Sequence, residues 1–216
     1  MSKISGVDDS GKGPIIGPMI VAGVSLDVKD LHKLEKIGVK DSKKLTAKKR
    51  EELYPKILKI VDNYKIIIIP PQEIDNAVES DTTNLNWLEG EKMVEVINAL
   101  KADTSIVDCP SPNTVAFCEF LKSKIKVETE LICTNKAERF LAVGAASIIA
   151  KVTRDAEVAK IQKRFTEDIG SGYPADPYTK KFIAKHWKED HGIFRKSWET
   201  YKALARKASQ KTLLDV

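Results

Sequence analysis

Two adjacent carboxylates, Asp8 and Asp9, end a short apolar run, and Gly11-Lys12-Gly13 follows before Pro14. Side chains alternate faces along a strand, so neighbouring acids in a regular strand point opposite ways. They serve one site where the strand ends or bulges, and the glycines permit such a break. Gly11 and Gly13 let a bulky anionic ligand approach the backbone, and Lys12 adds a positive charge beside it. Carboxylates that hold cations, set next to a turn that cradles a phosphate or ribose, form the layout of a phosphodiester-cleaving site. The same residue types also make plain surface turns, so the stretch alone leaves both readings open.

Two further acids join the first pair as candidates. Asp108 ends a short apolar run, Thr104 to Val107, and Asp155 follows a small, apolar helical stretch. Acids at the ends of neighbouring strands converge without being close in sequence, and in α/β sheets that edge is where sites form. Carboxylates gathered in one place repel one another, so their convergence calls for a cation, and hard oxygen donors favour Mg²⁺ or Mn²⁺. Two such ions about 3.5–4 Å apart would activate a water and stabilise the leaving oxygen at phosphorus. Each acid also has a plain alternative: Asp108 as a turn residue before Cys109-Pro110, Asp155 as an exposed helix residue beside Arg154.

Strands alternating with helices must position these groups. Ile15 to Leu26 is apolar and predicts the second strand of a hairpin. Thr46 is placed to cap a helix from Ala47 to about Val61. Tyr64 to Ile69 predicts a buried strand closed by Pro70-Pro71. Helices follow over Asn84 to Leu100, Thr114 to Lys122 and Arg139 to about Phe165, with strands over Thr104 to Val107 and Val127 to Cys133. Gly170-Ser171-Gly172-Tyr173-Pro174 breaks the chain before two helices, about Tyr178 to Glu189 and Ser197 to Ser209. The pattern predicts an α/β fold, a mixed sheet flanked by helices, with a C-terminal helical extension. The expected divisions are 1–168 for the catalytic domain, 169–209 for the substrate-binding extension and 210–216 for a tail.

Composition narrows the partners. The chain has 216 residues, 42% hydrophobic and 31% charged, with a net charge of +5. Its lysines and arginines cluster in three runs: Lys40 to Arg50, Lys180 to Lys188, and Arg195 to Lys211. A lysine run is ordinarily a solvated face, but three of them beside an acidic site favour a polyanion such as nucleic acid. No apolar run is long enough to span a membrane, and Met1-Ser2-Lys3 lacks a signal peptide's apolar core. A cytoplasmic location is therefore expected, with Cys109, Cys118 and Cys133 as ordinary thiols lacking metal-ligand spacing. No pair of apolar surfaces points to a dimer, so a monomer is expected.

The motifs, in order, resemble those of type 2 ribonuclease H, specifically ribonuclease HII of the archaeal branch. They are Gly6-Val7-Asp8-Asp9-Ser10-Gly11-Lys12-Gly13-Pro14 with Gly17-Pro18, Lys40-Asp41-Ser42-Lys43-Lys44-Leu45, Val107-Asp108, Ala145 through Asp155, Gly170-Ser171-Gly172-Tyr173-Pro174 and Arg195-Lys196-Ser197-Trp198. The resemblance covers nearly the whole chain. It implies a ribonuclease H-like catalytic domain whose C-terminal extension grips a duplex. The implied activity is cleavage of the RNA strand of RNA–DNA hybrids and incision 5′ of single ribonucleotides in duplex DNA, leaving 3′-hydroxyl and 5′-phosphate ends. Ribonucleotide removal and RNA primer processing are the implied roles. Asp8, Asp9, Asp108 and Asp155 would be catalytic and hold Mg²⁺ or Mn²⁺. Gly11, Lys12 and Gly13 would read the ribose 2′-hydroxyl, and Tyr173 would stack beneath the junction nucleotide. The logic is sound, since only that hydroxyl separates the two sugars. Lys43 and Lys44, with Lys151 and Arg154, are the candidate phosphate contacts.

Two positions depart from the family pattern. Asp9 stands where glutamate is usual, and its side chain is one methylene shorter. Lys12 stands where ribonuclease HII normally has arginine, as in the related ribonuclease HIII, and a lysine lacks the planar guanidinium fork. The tail from Gln210 resembles a degenerate sliding-clamp-binding motif: Gln210 and Leu213 fit it, Asp215 and Val216 do not. A frayed terminus is the plain alternative. Two rival readings are a hybrid-binding module whose cleavage is weakened by Asp9, and a junction resolvase of the same fold. Four retained carboxylates argue against the first, and Tyr173 beside the Gly-Lys-Gly turn argues against the second.

Overall fold

A computed structural model describes residues 2–39, 45–189 and 191–214, with side chains as far as Gln210. Its elements in order are β1 (Lys3–Ser10), β2 (Met19–Asp27), α1 (Leu31–Lys36), α2 (Ala47–Ile60), β3 (Asn63–Ile69), α3 (Pro71–Val78), α4 (Leu85–Leu100), β4 (Thr104–Asp108), α5 (Thr114–Lys124), β5 (Glu130–Thr134), α6 (Leu141–Gln162), α7 (Pro177–His186) and α8 (Glu199–Leu214). The chain divides into two compact units that do not follow chain order. The first comprises Met1–Ser10, Ile20–Ile68 and Leu85–Arg154, and the second Gly11–Met19, Ile69–Asn84 and Asp155–Val216.

The first unit holds a mixed five-stranded sheet in the order β3-β2-β1-β4-β5. β1 runs antiparallel to β2 and parallel to β4, and β4 runs parallel to β5. Parallel neighbours need crossover connections, which α4 and α5 supply. β2 is buried from Met19 to Leu26, as expected of a strand covered on both faces. Ile20, Val24 and Leu26 of β2 pack with Leu34 of α1, Leu53 and Ile57 of α2, and Ala145, Ile148 and Ile149 of α6. Small residues let α6 press directly on the sheet. A Cβ on Gly6 of β1 would stand 2.2 Å from the Val143 nitrogen and 2.2 Å from the Ala142 carbonyl carbon, so only glycine fits there.

The second unit has its own core, in which Ile15 and Ile16 pack with Ile169, Phe182, Ile183, Ile193 and Phe194. Phe165 meets Phe182 edge-on at 4.9 Å. Asp176 caps α7, accepting hydrogen bonds from the Tyr178 and Thr179 amides at 2.8 and 3.4 Å. The same carboxylate accepts from the Ser171 hydroxyl and amide. These bonds, the hydroxyl's first, hold its pKa down to about 2.

Four expectations change. The strand predicted from Ile15 begins only at Met19, because the Ile15 and Ile16 amides turn to the Gly172 carbonyl and Ile16 bridges to Phe194. β3 is an edge strand rather than a buried one, leaving Tyr64 46% and Ile68 48% exposed. Its run of isoleucines mimics a buried strand although only one edge is paired. Pro70-Pro71 opens α3 with Pro71 in the first turn, where a missing amide hydrogen costs nothing. α8 runs on to Leu214, past the expected end at Ser209. Thr46 caps α2 as the sequence predicts, its hydroxyl accepting from the Lys49 amide at 3.2 Å. Among the described residues, no helix is long and apolar enough to cross a membrane.

Candidate active site

In the first unit the acids gather where β1 and β4 end side by side. The parallel register runs from Ile4 opposite Thr104 to Val7 opposite Val107, and Asp8 and Asp108 come next on the two strands. β1 keeps its full pairing to β2 through Asp8 (opposite Ala22), Asp9 (opposite Val21) and Ser10 (opposite Ile20). No bulge turns the two acids together, contrary to the sequence-based expectation. What joins them is contact: the Asp9 amide donates to Asp8 Oδ1 at 2.8 Å.

Asp8 is only 5% exposed. Burial, with the neighbouring Asp9 and Asp108 carboxylates, pushes its pKa well above the ordinary range. The Ser147 hydroxyl and the Asp9 amide act the other way, by hydrogen-bonding the charged form. Ser147 lies on the buried face of α6, and Lys151, one turn further on, donates from Nζ to its Oγ at 2.9 Å. A polar relay thus runs from Lys151 through Ser147 to Asp8. Asp108 is fixed at Oδ1 by the Ala137 amide, 2.8 Å away, in the turn that leads into α6. A buried carboxylate flanked by two others and carrying a raised pKa lacks positive charge. All-oxygen donors of this kind suit a hard divalent cation, so the residues present fit Mg²⁺ or Mn²⁺.

Asp155 is half-buried on α6, two turns beyond Ser147, and opens the last segment of the second unit. Arg154 is 7% exposed, so its guanidinium is largely withdrawn from solvent. Lys43 and Lys44 lie outside the described residues.

In the second unit the Gly11-Lys12-Gly13 turn is held from the far end of the chain. Gly11 takes φ +88°, a left-handed conformation that favours glycine. Arg195 is wholly buried beneath the turn. Its guanidinium donates to the Gly11 carbonyl at 2.6 Å, the Lys12 carbonyl at 2.8 Å and the Gly17 carbonyl at 3.0 and 3.1 Å. The Trp198 indole donates to the Gly13 carbonyl at 3.1 Å and lies against the Arg195 guanidinium at 5.0 Å. Tyr173, 42% exposed, lines the other side, where a Cβ on Gly13 would meet its Cε1 at 3.5 Å. Gly13 and Tyr173 are therefore neighbours on a partly exposed surface.

Sequence reasoning missed the residues that hold this turn. The sequence sets Arg195 both in a basic run facing a polyanion and in the Arg195-Lys196-Ser197-Trp198 motif, without a role, and the structure places it in the interior. The apolar Ile193-Phe194 before it was the available signal. Asp75 of α3 accepts from the Lys196 and Ser197 amides at 2.8 and 2.9 Å and from the Ser197 hydroxyl at 2.5 Å. Nothing in the sequence links Asp75 to a segment 121 residues away. Ser147 had one faint signal, a lone hydroxyl in an otherwise apolar helical stretch.

Comparison with known proteins shows the family and the fold. The Ribonuclease HII family model matches residues 5–201. The ribonuclease HII of Methanococcus maripaludis is 46% identical over 96% of this chain and 89% of its own. The structure of ribonuclease H2 from Pyrococcus horikoshii superposes with a TM-score of 0.87 at 37% identity, covering 95% of this chain and 98% of that one. A PCNA:RNase HII complex from Archaeoglobus fulgidus gives 0.81 at 34% identity, covering 93% and 96%. The match runs unbroken from the first strand into the helix after Trp198, and the chain accordingly belongs to the ribonuclease HII family, as a ribonuclease H endonuclease.

Proposed function

We propose that this enzyme cleaves the RNA strand of RNA–DNA hybrids and incises duplex DNA on the 5′ side of single embedded ribonucleotides, leaving 3′-hydroxyl and 5′-phosphate ends. Ribonucleotide removal and primer processing follow as its roles. The observation that carries the chemistry is the buried Asp8 carboxyl, flanked by Asp9 and Asp108. With Asp155, which joins them by family motif, these residues would hold Mg²⁺ or Mn²⁺, two ions during catalysis. Such ions supply charge neutralisation at the scissile phosphate and an activated water. The chain's own residues orient the donors. The Asp9 amide and Ser147 hydroxyl fix Asp8, the Ala137 amide fixes Asp108, and Lys151 holds the Ser147 hydroxyl in place.

Selectivity is assigned to Gly11, Lys12, Gly13 and Tyr173. With its carbonyls committed to Arg195 and Trp198, the turn offers amides and a close-approach surface to a ribose 2′-hydroxyl, while Tyr173 stacks beneath that nucleotide. Residues 169–209 form the substrate-gripping extension that follows the catalytic region 1–168. Lys43, Lys44 and Lys151 are assigned to phosphates; Arg154, its guanidinium largely withdrawn from solvent, is not. The tail from Gln210, with Leu213, is assigned to a sliding clamp; the clamp complex of the A. fulgidus relative supports that reading. Gln210 is exposed on α8, and the side chain of Leu213 lies outside the described residues.

The test is cleavage of a duplex carrying one ribonucleotide, with Mg²⁺ and then Mn²⁺, beside an all-DNA control. Incision 5′ of the ribonucleotide and none in the control is expected. Binding without incision by either metal would overturn the assignment in favour of a hybrid-binding module, and recovery of cleavage in Asp9→Glu would then place the defect in one methylene.

A further inference from the structure

Away from the acidic strand ends, one other group of ligand-type side chains converges among the described residues: His186, Glu189 and His191. His186 is the last residue of α7, and the other two follow within one turn of chain. Glu189 Oε2 lies 3.0 Å from His186 Nδ1 and 2.5 Å from His191 Nε2. One donor atom from each residue falls within 4.8 Å of the other two. A four-coordinate Zn²⁺ takes imidazole nitrogen at about 2.0–2.1 Å and carboxylate oxygen at about 2.0–2.2 Å, which sets donor atoms roughly 3.3 Å apart. Both spacings to Glu189 are shorter than that, as hydrogen bonds are, so an ion enters by exchanging those bonds for bonds to itself with small side-chain shifts.

The surroundings are those of a metal-ligating histidine. Nε2 of His186 faces Glu167 Oε2 at 2.8 Å and donates its hydrogen to that carboxylate, while Nδ1 faces Glu189 at 3.0 Å and becomes a lone-pair donor once a cation displaces the proton between them. Glu167 is itself paired with Lys185. Both rings are held by packing: His186 stacks on Phe182 at 4.6 Å, and His191 meets Phe165 edge-on at 4.9 Å. The side chains of His186, His191 and Glu189 are 14%, 28% and 51% exposed, so a fourth position opens to water.

We propose that His186, Glu189 and His191 bind a divalent cation of the zinc class, with Glu167 as the outer acceptor that orients His186. Two imidazoles separate this site from the acidic one by chemistry, since hard Mg²⁺ prefers oxygen donors and Zn²⁺ prefers nitrogen. Binding displaces the protons Glu189 shares with the rings and clips the end of α7 to the chain entering Ile193 and Phe194. That chain leads directly into Arg195, the anchor of the Gly11-Lys12-Gly13 turn. The cation is therefore a structural brace four residues from the anchor.

The experiment titrates the full-length protein with Zn²⁺ alone against a competing chelator, and with Co²⁺ followed by visible absorption. The acidic site is present in every variant and contributes equally. The expected result is Zn²⁺ binding that His191→Ala weakens more than about tenfold and Glu167→Gln weakens about 10–100-fold. His191→Ala should also lose the intense absorption of four-coordinate Co²⁺. Should His191→Ala fail to fold, Glu189→Gln reads the same loss. Absence of Zn²⁺ binding in the unaltered protein overturns the proposal. So does equal affinity with an identical cobalt spectrum across the variants, which would leave a hydrogen-bonded cluster only.

Discussion

Replacing Arg195 is the sharpest test of how the Gly11-Lys12-Gly13 turn is held. Arg195→Met keeps a long apolar stem and removes the donors that the Gly11, Lys12 and Gly17 carbonyls share. A buried acceptor left without a donor costs about 1–3 kcal/mol, and water reaching part of the vacated space offsets some of that. With three carbonyls affected, the loss comes to roughly 4–6 kcal/mol, a large share of a typical folding free energy of about 5–15 kcal/mol. Arg195→Lys keeps the charge but loses the fork and serves fewer acceptors, so about 2 kcal/mol should go. Urea denaturation reads both losses. Lys202→Ala is the control: its pair with Glu79 is 3.4 Å long with both side chains largely in solvent, and removing it should shift stability by less than about 0.5 kcal/mol. Arg195→Lys, which folds, should also cleave a single-ribonucleotide duplex with raised KM and reduced preference over all-DNA. A denaturation midpoint for Arg195→Met indistinguishable from the control would refute the reasoning, because it would mean the carbonyls find other donors at no cost.

Three other outcomes follow from the geometry. Asp8→Asn should abolish cleavage yet stabilise the metal-free protein by on the order of 1 kcal/mol, about 2–4 °C in Tm, because it removes a buried charge set against Asp9 and Asp108; a lowered Tm would show the carboxylate to be satisfied by its hydrogen bonds. Gly6→Ala should cost more than about 4 kcal/mol or prevent folding, since the added Cβ meets the α6 backbone at 2.2 Å and neither backbone can step aside; near-normal thermal stability would contradict the packing. Asp176 has a folded pKa of about 2 against an ordinary 3.8, so its contribution is complete above about pH 4 and is lost as pH falls toward 2. Asp176→Asn keeps an N-cap but cannot titrate, and its stability should depend less steeply on pH across that window in acid-denaturation curves; an unchanged slope would assign the acid sensitivity elsewhere.

The meeting of Asp8, Asp9 and Asp108 at one sheet edge was legible because acids that close neighbouring apolar strands end at the same edge. Nothing but oxygen donors holds a hard cation, and acids that close apolar runs have few other uses in a sheet. The alternation of strands and helices was legible too: β4 and α4 carry the periodicity of the faces they bury. Misreadings arose where one local pattern serves two environments. The isoleucines of β3 look buried yet lie at the sheet edge, and Pro70-Pro71 looks like a stop yet starts α3. Both outcomes depend on what packs from elsewhere in the chain, which local periodicity cannot report.

Positioning residues were the hardest to see, and the reason is their reach. The hydrogen bonds of Arg195 to the glycine turn span 178 to 184 residues, and those of Asp75 to Ser197 span 122. Such a residue has no fixed chemical type: any donor of the right length could hold a carbonyl, so its identity is decided by the cavity it fills. Arg195 is arginine because several carbonyls at different angles need a rigid fork, and a charge so deeply buried survives only when its hydrogens are fully used. Asp8, Asp9 and Asp108 with their Ser147 support are assembled within the first unit, the turn and its Arg195 support within the second, which also carries Asp155. Each half therefore carries its own scaffold. Weakening Arg195 should blur the choice of nucleotide before it touches the acids, and removing Asp8 should stop the chemistry while leaving the turn intact. A loss of both functions from either single change would mean that the two scaffolds are energetically one.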